Sequence, residues 1–472
     1  MKDDTRFSAS SGFAAVFSHL AGFGRKLRWL LLVFLLLVLQ WPLSILDHLV
    51  VERQQRRDAA ADEIMSHYGL AQTLVGPIVT VPYRVWTVEE RERDGRKETV
   101  KIWYRRYAHF LPAELAITAH VTPEIRRRGL FEIPVYNAKL SLEGRFEPPD
   151  LSRWSVAASD VLWEEAWLSL EVTDRKALTA PIAFTLGERR MDFEVGEPEG
   201  RPIARSLQAR LAPSDVRLGA AFEGRVLLRG SGRLAAVPLA AKTTLTMESP
   251  WPHPSFDGAY LPEARTVSDR GFQARWSVLR FGRDFGQQWT SSTLDPARVG
   301  DSAFGVTFKN PTDLYAQVAR STRYSLLFLV MSFLVLYLWE VMGARPIHAL
   351  QYLLIGCALM LFYLLELALA EHLGFAPAYG LAAGTTVLLV AGYTRAILAS
   401  GKSAAVLSAM LAALYGFLFV TLRAEDHALL IGTMGLALLL AAVMYATRRL
   451  NRQVVGVVQG YPGDVHGGTS GA

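Results

Sequence analysis

Acidic residues in apolar segments are the first candidates for chemistry in this sequence. Glu340, Glu366 and Glu371 lie in or at the ends of long apolar stretches, and His372 follows Glu371. Because an ionisable side chain is costly inside a bilayer, such residues are functional candidates, and the last three could form a metal or proton site. Their positions near the ends of the stretches favour instead carboxylates that water or lipid headgroups solvate.

Established catalytic motifs are absent from the sequence. It has no H-E-x-x-H, no G-x-S-x-G and no G-x-G-x-x-G after a strand. The run Ser400-Gly401-Lys402-Ser403 resembles the end of a phosphate-binding loop, but Ala396 replaces the first glycine and the flanks are apolar helices. We therefore predict no catalytic residue, no metal site and no cofactor.

One run in the middle of the chain has an unusual composition. In Trp251-Pro252-His253-Pro254-Ser255-Phe256-Asp257-Gly258, two prolines fix φ and lack N–H donors around an aromatic residue and a histidine. The run predicts a rigid loop that serves as a structural turn, as a partner-binding loop or, through His253, as a metal site. The candidate partner-binding residues are Trp251, His253, Pro254, Phe256, Arg275 and Trp276.

Six apolar stretches are long enough to cross a membrane, although averages such as a mean hydropathy of +0.20 hide them. A bilayer core of about 30 Å needs roughly 20 apolar residues in a helix. The predicted spans are residues 29–46, 324–341, 347–370, 378–393, 404–422 and 428–446. No small-x-small cleavage site follows the first span, so it is predicted to be a retained signal anchor.

The distribution of Lys and Arg in short loops and tails predicts the orientation, because positive charge is retained on the cytoplasmic side. Arg423 alone lies in the predicted outer loops between spans, whereas the predicted inner side carries Arg25, Lys26, Arg28, Arg345, Arg395, Lys402, Arg448, Arg449 and Arg452. Arg53, Arg56 and Arg57 oppose this orientation but are outnumbered. Both termini are therefore predicted to be cytoplasmic.

The predicted order along the chain is a cytoplasmic segment 1–28, the first span, a periplasmic region 47–323, a five-helix bundle 324–446 and a cytoplasmic tail 447–472, which is disordered after Gly460. The periplasmic placement assumes a Gram-negative cell. The lipid bilayer and an unidentified periplasmic or membrane component are the expected partners.

The region 47–323 has a mainly β pattern. Apolar residues alternate with polar ones around Leu115, Ile117 and Ala119, and again around Phe272, Ala274, Trp276 and Val278. Breakers at 147–150, 196–202 and 230–232 predict short antiparallel strands in one sandwich or two stacked ones. The predicted fold class is therefore an α+β membrane protein: six transmembrane helices, with a large sandwich-like domain between the first and second.

Two helices are predicted at the borders of this region. Residues 53–68 have a helical pattern that leads away from the first span. Asn310-Pro311-Thr312-Asp313 supplies an N-cap, a proline at the first helical position and an early acid. A helix that starts there is predicted to run through Val318 and Tyr324 without a break into the second span.

Small residues at intervals of four predict close helix packing, because helices in lipid associate through close backbone approach. Gly380 and Gly384 form one such pair, and the fifth span carries another row, Ala404, Ser408, Ala412 and Gly416. Packing within one chain is favoured over a dimer contact, and the oligomeric state stays open.

Charge and cysteine content limit the remaining classes. The net charge of +6 comes from Lys and Arg intermixed with Asp and Glu, so we predict no nucleic-acid binding. The only cysteine, Cys357, lies in an apolar stretch, so the predicted domain has no thiol for a disulfide.

Long strings of the sequence resemble the CreD family of bacterial inner-membrane proteins, over residues from about 69 to 422. They are WPHPSFDGAYLP, GFQARWSVLRFGRDFGQQW, FGVTFKNPTDLYAQVARSTRYSLLFL and HALQYLLIGCALMLFYLLELALAEHLGF. The resemblance implies expression tied to the CreBC two-component system and roles in envelope integrity, colicin tolerance and β-lactam response. It implies no reaction, and it adds His348, Gln351 and Tyr352 as family markers among the helix candidates.

Three hypotheses follow for the function. The first is a non-enzymatic envelope-stress protein whose β domain binds an envelope partner. The second is a transporter or flippase with the domain as receptor, which requires a polar cavity between the third and fourth spans. The third is a periplasmic enzyme, which requires a polar cleft with convergent His, Asp or Arg side chains.

Overall fold

A computed structural model of the chain describes residues 10–93, 96–196, 200–203, 206–290, 296–308, 314–343, 347–398, 401–424 and 428–447. Several predicted features lie outside these residues: the helix start at 310–313, the tail after Gly460, and Arg345, Arg448, Arg449 and Arg452. The side chains of Arg25, Lys26 and Arg28 are likewise outside the description. The chain divides into a β unit, Gln55–Thr312, and a helical unit made of Met1–Gln54 and Asp313–Ala472.

The helices of the described residues are α1 (Ser10–Tyr68), α2 (Pro213–Arg217), α3 (Pro296–Asp301), α4 (Leu314–Thr322), α5 (Ser325–Gly343), α6 (Ala349–Leu373), α7 (Phe375–Leu398), α8 (Gly401–Arg423) and α9 (Ala428–Thr447). Five stretches among them are long and apolar enough to cross a membrane: Leu30–Tyr68, Leu314–Glu340, Ala349–Leu373, Phe375–Ile397 and Ala404–Arg423. The sixth predicted span coincides with α9. The predicted helix 53–68 is confirmed as the last part of α1.

The helix predicted to run unbroken through Tyr324 is interrupted. A turn at Arg323 and Tyr324 separates α4 from α5. There the Tyr324 N–H donates to the carbonyl oxygen of Ser321, three residues earlier, instead of to the residue four positions earlier as in an α-helix. The short helix α4 buries Tyr315, Val318, Ser321 and Thr322, and it packs against α6, α7 and α8. Both α4 and α5 pack against α6 and α8, and an apolar pattern alone does not reveal the turn between them.

The strands of the β unit's described residues are β1 (Gln72–Arg93), β2 (Arg96–Phe110), β3 (Glu114–Arg128), β4 (Phe131–Arg145), β5 (Trp167–Val172), β6 (Ala183–Leu186), β7 (Arg189–Met191), β8 (Glu194–Val195), β9 (Leu207–Arg210), β10 (Ala221–Ser231), β11 (Arg233–Ala236), β12 (Lys242–Ser249), β13 (Pro254–Gly258), β14 (Ala264–Ser268), β15 (Gly271–Leu279), β16 (Gln288–Thr290) and β17 (Phe304–Phe308). Sheet A has the order β13-β17-β11-β1-β5-β9-β8, with β2 paired to β1 and β16 to β2. Sheet B has the order β14-β15-β12-β3-β4-β10-β6-β7.

The sheets correct two details of the predicted β pattern. Both are mixed rather than antiparallel, because β1 pairs in parallel with β11 and β3 with β12. An alternation of period two reports which face is buried, not the direction of the neighbouring strand. The first four strands are also long rather than short, since cross-strand pairs such as Trp86 with Trp103 extend the β1–β2 hairpin.

The two sheets share one hydrophobic core, so the β unit contains the predicted sandwich. Leu115, Ile117 and Ala119 of sheet B lie in the same buried cluster as Leu168 and Leu170 of sheet A. The alternating residues of β3 and β15 that were predicted to be buried are buried. Burial of this apolar surface is the main stabilising contribution in a unit without disulfides.

Candidate functional site

The proline-rich run of the β unit is largely a structural element. Its second half, Pro254–Gly258, is not a loop but the edge strand β13, which pairs with β17. The Trp251 ring nitrogen donates to the carbonyl oxygen of His253 across 3.1 Å, and the Trp251 ring packs edge-on against Phe308. The prolines and the tryptophan therefore hold the chain as it enters sheet A.

Charged and small residues fix the far end of β13. Asp257 accepts a hydrogen bond from the Arg233 Nε at 2.7 Å and another from Thr307. Gly258 has φ of +99°, and a Cβ there would clash with the carbonyl oxygen of Ala303. These contacts join β13 to β11 and β17.

Two of the candidate partner-binding residues contribute to the hydrophobic core of the β unit. Trp276 is 1% exposed, and its ring contacts Phe256 and Phe304 in the core. Phe256 is half-buried against Phe272 and Trp276. An alternating pattern with a bulky aromatic marks the inward face of a strand, which explains both positions. Of this set, His253 and Arg275 are exposed.

An open polar groove of about 520 Å³ lies at the β14 edge of sheet B. Its polar lining side chains come from β3, β12, β14, β15 and the turn between β14 and β15, and they include His120, Glu248, Thr266, Ser268, Arg270 and Gln273. His120 is hydrogen-bonded to Glu248. Among the described side chains, no hydroxyl hydrogen-bonds to His120, so the groove lacks the paired nucleophile and base of an acyl-transfer site.

A buried arginine holds two connections between the sheets. The Arg283 guanidinium donates to the carbonyl oxygens of Pro238 and Leu239, which lie between β11 and β12, and to the Gln287 side chain. Gln287 in turn donates to the carbonyl oxygen of Leu111, between β2 and β3, at 3.1 Å. Burial lowers the pKa of Arg283 to about 10, so it stays charged at neutral pH.

Glu366 of the helical unit is buried, which corrects the expectation of a carboxylate solvated at an interface. Its exposure is 0%, and its Oε2 accepts a hydrogen bond from the Ser321 hydroxyl at 2.8 Å. Position along a helix is readable from sequence, but the face that neighbouring helices cover is not. The α4 helix, which supplies Ser321, covers this face of α6.

Three tyrosines from three helices surround Glu366. Tyr363 lies one turn earlier on α6, Tyr379 on α7 and Tyr415 on α8, and each interacts electrostatically with the carboxyl group. The Tyr379 hydroxyl donates to the carbonyl oxygen of Tyr415 at 2.8 Å. The ring of Phe362 packs edge-on or tilted against all three, with centroid distances of 4.5–5.3 Å.

Glu371 and His372, the other two members of the predicted metal or proton site, have different surroundings. Glu371 accepts a hydrogen bond from the Tyr315 hydroxyl at 3.1 Å, and Arg53 lies 3.7 Å away in an ion pair. His372 is exposed. In the part of the chain that the structure describes, no three His, Cys, Asp or Glu side chains are arranged to hold a metal ion.

The family markers at the start of α6 have structural contacts. The His348 N–H donates to the Gln351 side chain at 2.9 Å, which is half of a capping box. The Tyr352 hydroxyl donates to Glu340 at 3.0 Å, and both side chains are buried. Glu340 is therefore paired with a helix neighbour rather than solvated by headgroups, contrary to the expectation.

Most of the small residues that were predicted to pack helices within one chain lie on exposed helix faces. Gly380, Gly384 and Gly416 are exposed, and a Cβ at each would meet no described atom within 4 Å. Ala412 is exposed and Ser408 half-buried, whereas Ala404 is buried. The close approaches use other small residues, namely Ala378 and Ala382, which are fully buried on α7, and Gly356, which packs under Leu39 of α1.

Sequence reasoning missed the residues that complete these arrangements. Arg283 and Gln287 lie within a family string, but nothing in their spacing marks a buried pair. Tyr363 has a readable signal, since it lies three residues before Glu366 on one helix face. Tyr379, Tyr415 and Ser321 come from other helices, and no sequence interval links them.

The fold defines an integral membrane protein with several apolar helices and a large β-rich unit. The model of the CreD family, described as "Inner membrane protein CreD", matches residues 25–453 of this chain. Inner membrane protein CreD of Escherichia coli (strain K12) is 30% identical over 425 residues, which cover 89% of this chain and 91% of that protein. The chain belongs to the CreD family of inner membrane proteins, as the resemblance implied.

Solved structures contribute no functional argument. An M1 zinc metallopeptidase from Deinococcus radiodurans is 11% identical, with a TM-score of 0.17, over 36% of this chain and 39% of that one. A likeness at this level does not extend to a shared fold.

Proposed function

We propose that this protein maintains the cell envelope from the inner membrane and catalyses no reaction. Six helices cross the bilayer with both termini in the cytoplasm, and the β unit lies in the periplasm, where it binds an envelope component. The roles in stress response, colicin tolerance and β-lactam response that the resemblance implies belong to this proposal. Family membership supports it, because the match includes both the helices and the β unit.

The groove at the β14 edge carries the binding part of the proposal. Its lining offers hydroxyl, amide, carboxylate and guanidinium groups from exposed side chains, among them Thr266, Gln273, Glu248 and Arg270. Such a surface suits a polar, hydrogen-bonding component rather than an apolar one. The His253 run adjoins it, since Ser249 of the lining accepts a hydrogen bond from the Trp251 N–H.

The binding role is tested by complementation in the native host. Deletion of the gene is expected to sensitise cells to detergent and to a β-lactam, and the wild-type gene restores growth. Gln273→Ala with Arg270→Ala is expected to abolish the rescue. Arg190→Ala, on the exposed opposite edge strand β7, is the matched control and rescues fully. Full rescue by the groove variant at equal membrane levels contradicts the proposal.

The orientation is tested separately with topology reporters. Alkaline phosphatase fused after Gly230 is expected to be active, and a fluorescent protein fused at Ala472 is expected to fluoresce in the cytoplasm. An inactive phosphatase at Gly230 places the β unit on the cytoplasmic side and overturns the orientation. The phosphatase activity does not depend on the groove residues. A failure of the complementation test therefore leaves the orientation untouched, and the reverse also holds.

A further inference from the structure

Within the described residues, only one of the two Glu366 carboxyl oxygens has a hydrogen-bond partner. Its Oε2 accepts the Ser321 hydrogen bond, whereas its Oε1 is buried and has no hydrogen-bond partner among the described residues. At 1.5 Å per residue, Glu366 lies about 10 Å from the C-terminal end of α6. A buried carboxyl oxygen without a partner is rare in native structures and calls for an explanation.

The same cluster contains further unsatisfied oxygens. The hydroxyls of Tyr363, Tyr415 and Thr386 are buried; those of Tyr415 and Thr386 lie against each other, and that of Tyr363 has no hydrogen-bond partner within the described residues. They belong to α6, α8 and α7 in turn, so the cluster is built by three helices and closed by Ser321 of α4. Several such oxygens in one place suit small polar occupants.

No described cation compensates a charge on Glu366. Among the described side chains, no Lys, Arg or His lies in an ion pair with it, whereas Glu371 on the same helix is paired with Arg53. An isolated carboxylate buried without a cation is so costly that the group neutralises instead. The neutral form requires a proton at Oε1, the oxygen that lacks a partner.

A metal cation fits this cluster poorly. Membrane sites for Na⁺ use carbonyl oxygens that a broken helix releases, and hard cations take several charged or carbonyl oxygens. Here α6, α7 and α8 are continuous around the cluster, and at the turn between α4 and α5 the Ser321 carbonyl oxygen accepts a hydrogen bond from the Tyr324 N–H. Glu366 is the one carboxyl group of the cluster among the described residues. Hydroxyl groups, by contrast, both donate and accept, as proton exchange through water requires.

We propose that Glu366 is a buried proton-binding site of the helical unit. The carboxyl group carries its proton on Oε1 and exchanges it with water held among the hydroxyls of Tyr363, Tyr415 and Thr386. On release, the O–H bond at Oε1 breaks and the proton passes to water. The carboxylate that remains accepts hydrogen bonds from Ser321 and Tyr363.

The groups that face Glu366 from every packed helix are known for the described residues. They are Ser321 on α4, Tyr363 on α6, Tyr379 on α7 and Tyr415 on α8, and Thr386 of α7 lies beside Tyr415. This inference does not depend on the envelope function proposed above. It gives the helices a task beyond anchoring the β unit, namely binding and releasing protons in the membrane.

The test uses N,N′-dicyclohexylcarbodiimide, an apolar reagent that reacts with protonated carboxyl groups. The full-length protein in detergent is labelled at a series of pH values, and the Glu366 peptide is quantified by mass spectrometry. Labelling of Glu366 is expected to fall at least tenfold from acid to alkaline pH, and Glu366→Gln abolishes it. Glu371→Gln is the matched control and leaves it unchanged. Tyr363→Phe removes a donor to the carboxylate and moves the half-labelling pH upward.

Two outcomes of the labelling experiment overturn the proposal. Protection by Na⁺ at constant pH identifies a metal-cation site instead. Labelling independent of pH shows that no titration occurs. If the reagent does not reach Glu366, infrared difference spectra between acid and alkaline buffer decide: a carboxylic-acid carbonyl band present in the wild type and absent from Glu366→Gln supports the proposal, and identical spectra contradict it.

Discussion

Arg283 donates a hydrogen bond of 3.0 Å to the carbonyl oxygen of Pro238, at the point where the chain passes from sheet A to sheet B. Through Gln287 the same arginine is linked to Leu111, where the chain makes a second passage between the sheets. A charged group normally found on surfaces thus holds two of the crossings between the sheets.

Replacement of Arg283 is expected to destabilise the β unit strongly. Arg283→Met keeps much of the buried chain but leaves the carbonyl oxygens of Pro238 and Leu239 without donors, at a cost of about 2–4 kcal/mol. Thermal unfolding of the full chain in detergent measures the loss. Arg280→Met is the control, because Arg280 is exposed. Equal melting temperatures for the two variants would show that the Arg283 hydrogen bonds do not stabilise the β unit.

An alanine at Gly258 is expected to strain the edge strand β13. Its φ of +99° is unfavourable for any residue with a Cβ, and that atom would clash with the Ala303 carbonyl oxygen. We expect Gly258→Ala to lower the unfolding free energy by at least about 2 kcal/mol. In Gly286→Ala the new Cβ lies 3.4 Å from its nearest neighbour, so this control is tolerated. Similar denaturant midpoints would rule out the strain.

His109 is expected to make the β unit sensitive to acid. It is 1% exposed, it is hydrogen-bonded to Thr80 at 3.0 Å, and burial lowers its pKa to about 3. The unfolded chain binds the proton near pH 6.5, so the stabilisation is complete above that pH and declines as the pH falls towards 3. Between pH 6.5 and pH 5 the loss is about 2 kcal/mol.

The measurement for His109 is the denaturation midpoint as a function of pH. His109→Gln removes the titrating group, so the difference between the two proteins is expected to change across this window and to be constant above it. A difference that stays constant from pH 8 to pH 5 would show that folding does not change the pKa of His109.

Two small residues of α7 are expected to respond in opposite ways to leucine. Ala382 is fully buried, so Ala382→Leu overpacks the helices and destabilises them by about 1–3 kcal/mol. Gly380 is exposed, with no described atom near its Cβ position, so Gly380→Leu leaves unfolding unchanged. Size-exclusion chromatography and thermal unfolding in detergent check both. Equal damage by the two variants would restore the glycine pair as a packing face within the chain.

The faces of strands and the positions of helices were readable from sequence, because both depend on local periodicity. Leu115, Ile117 and Ala119 are buried as predicted, since a strand alternates its sides with a period of two. The parallel partner of β3 was not readable, because β12 follows more than a hundred residues later and no local pattern encodes the pairing.

The candidate sites were less predictable than the fold. Glu366 was recognised as an acid in an apolar helix, but its burial depends on Ser321 and on tyrosines of α7 and α8. The Trp251–Gly258 run was recognised as rigid, but its pairing with β17 assigns it to the sandwich. Contacts between distant segments decide both, and a single sequence contains no measure of them.

The pairing of β1 with β11, and of β11 with β17, delays completion of sheet A during biosynthesis. Roughly 200 residues separate β1 from β17, so at 5–20 residues per second the ribosome needs on the order of 10 s or more to supply the last partner. The edge of β1 stays open until β11 is made, and the edge of β11 then stays open until β17 is made. An open strand edge is an aggregation hazard, so this chain is exposed to misassociation until its final strand has been made.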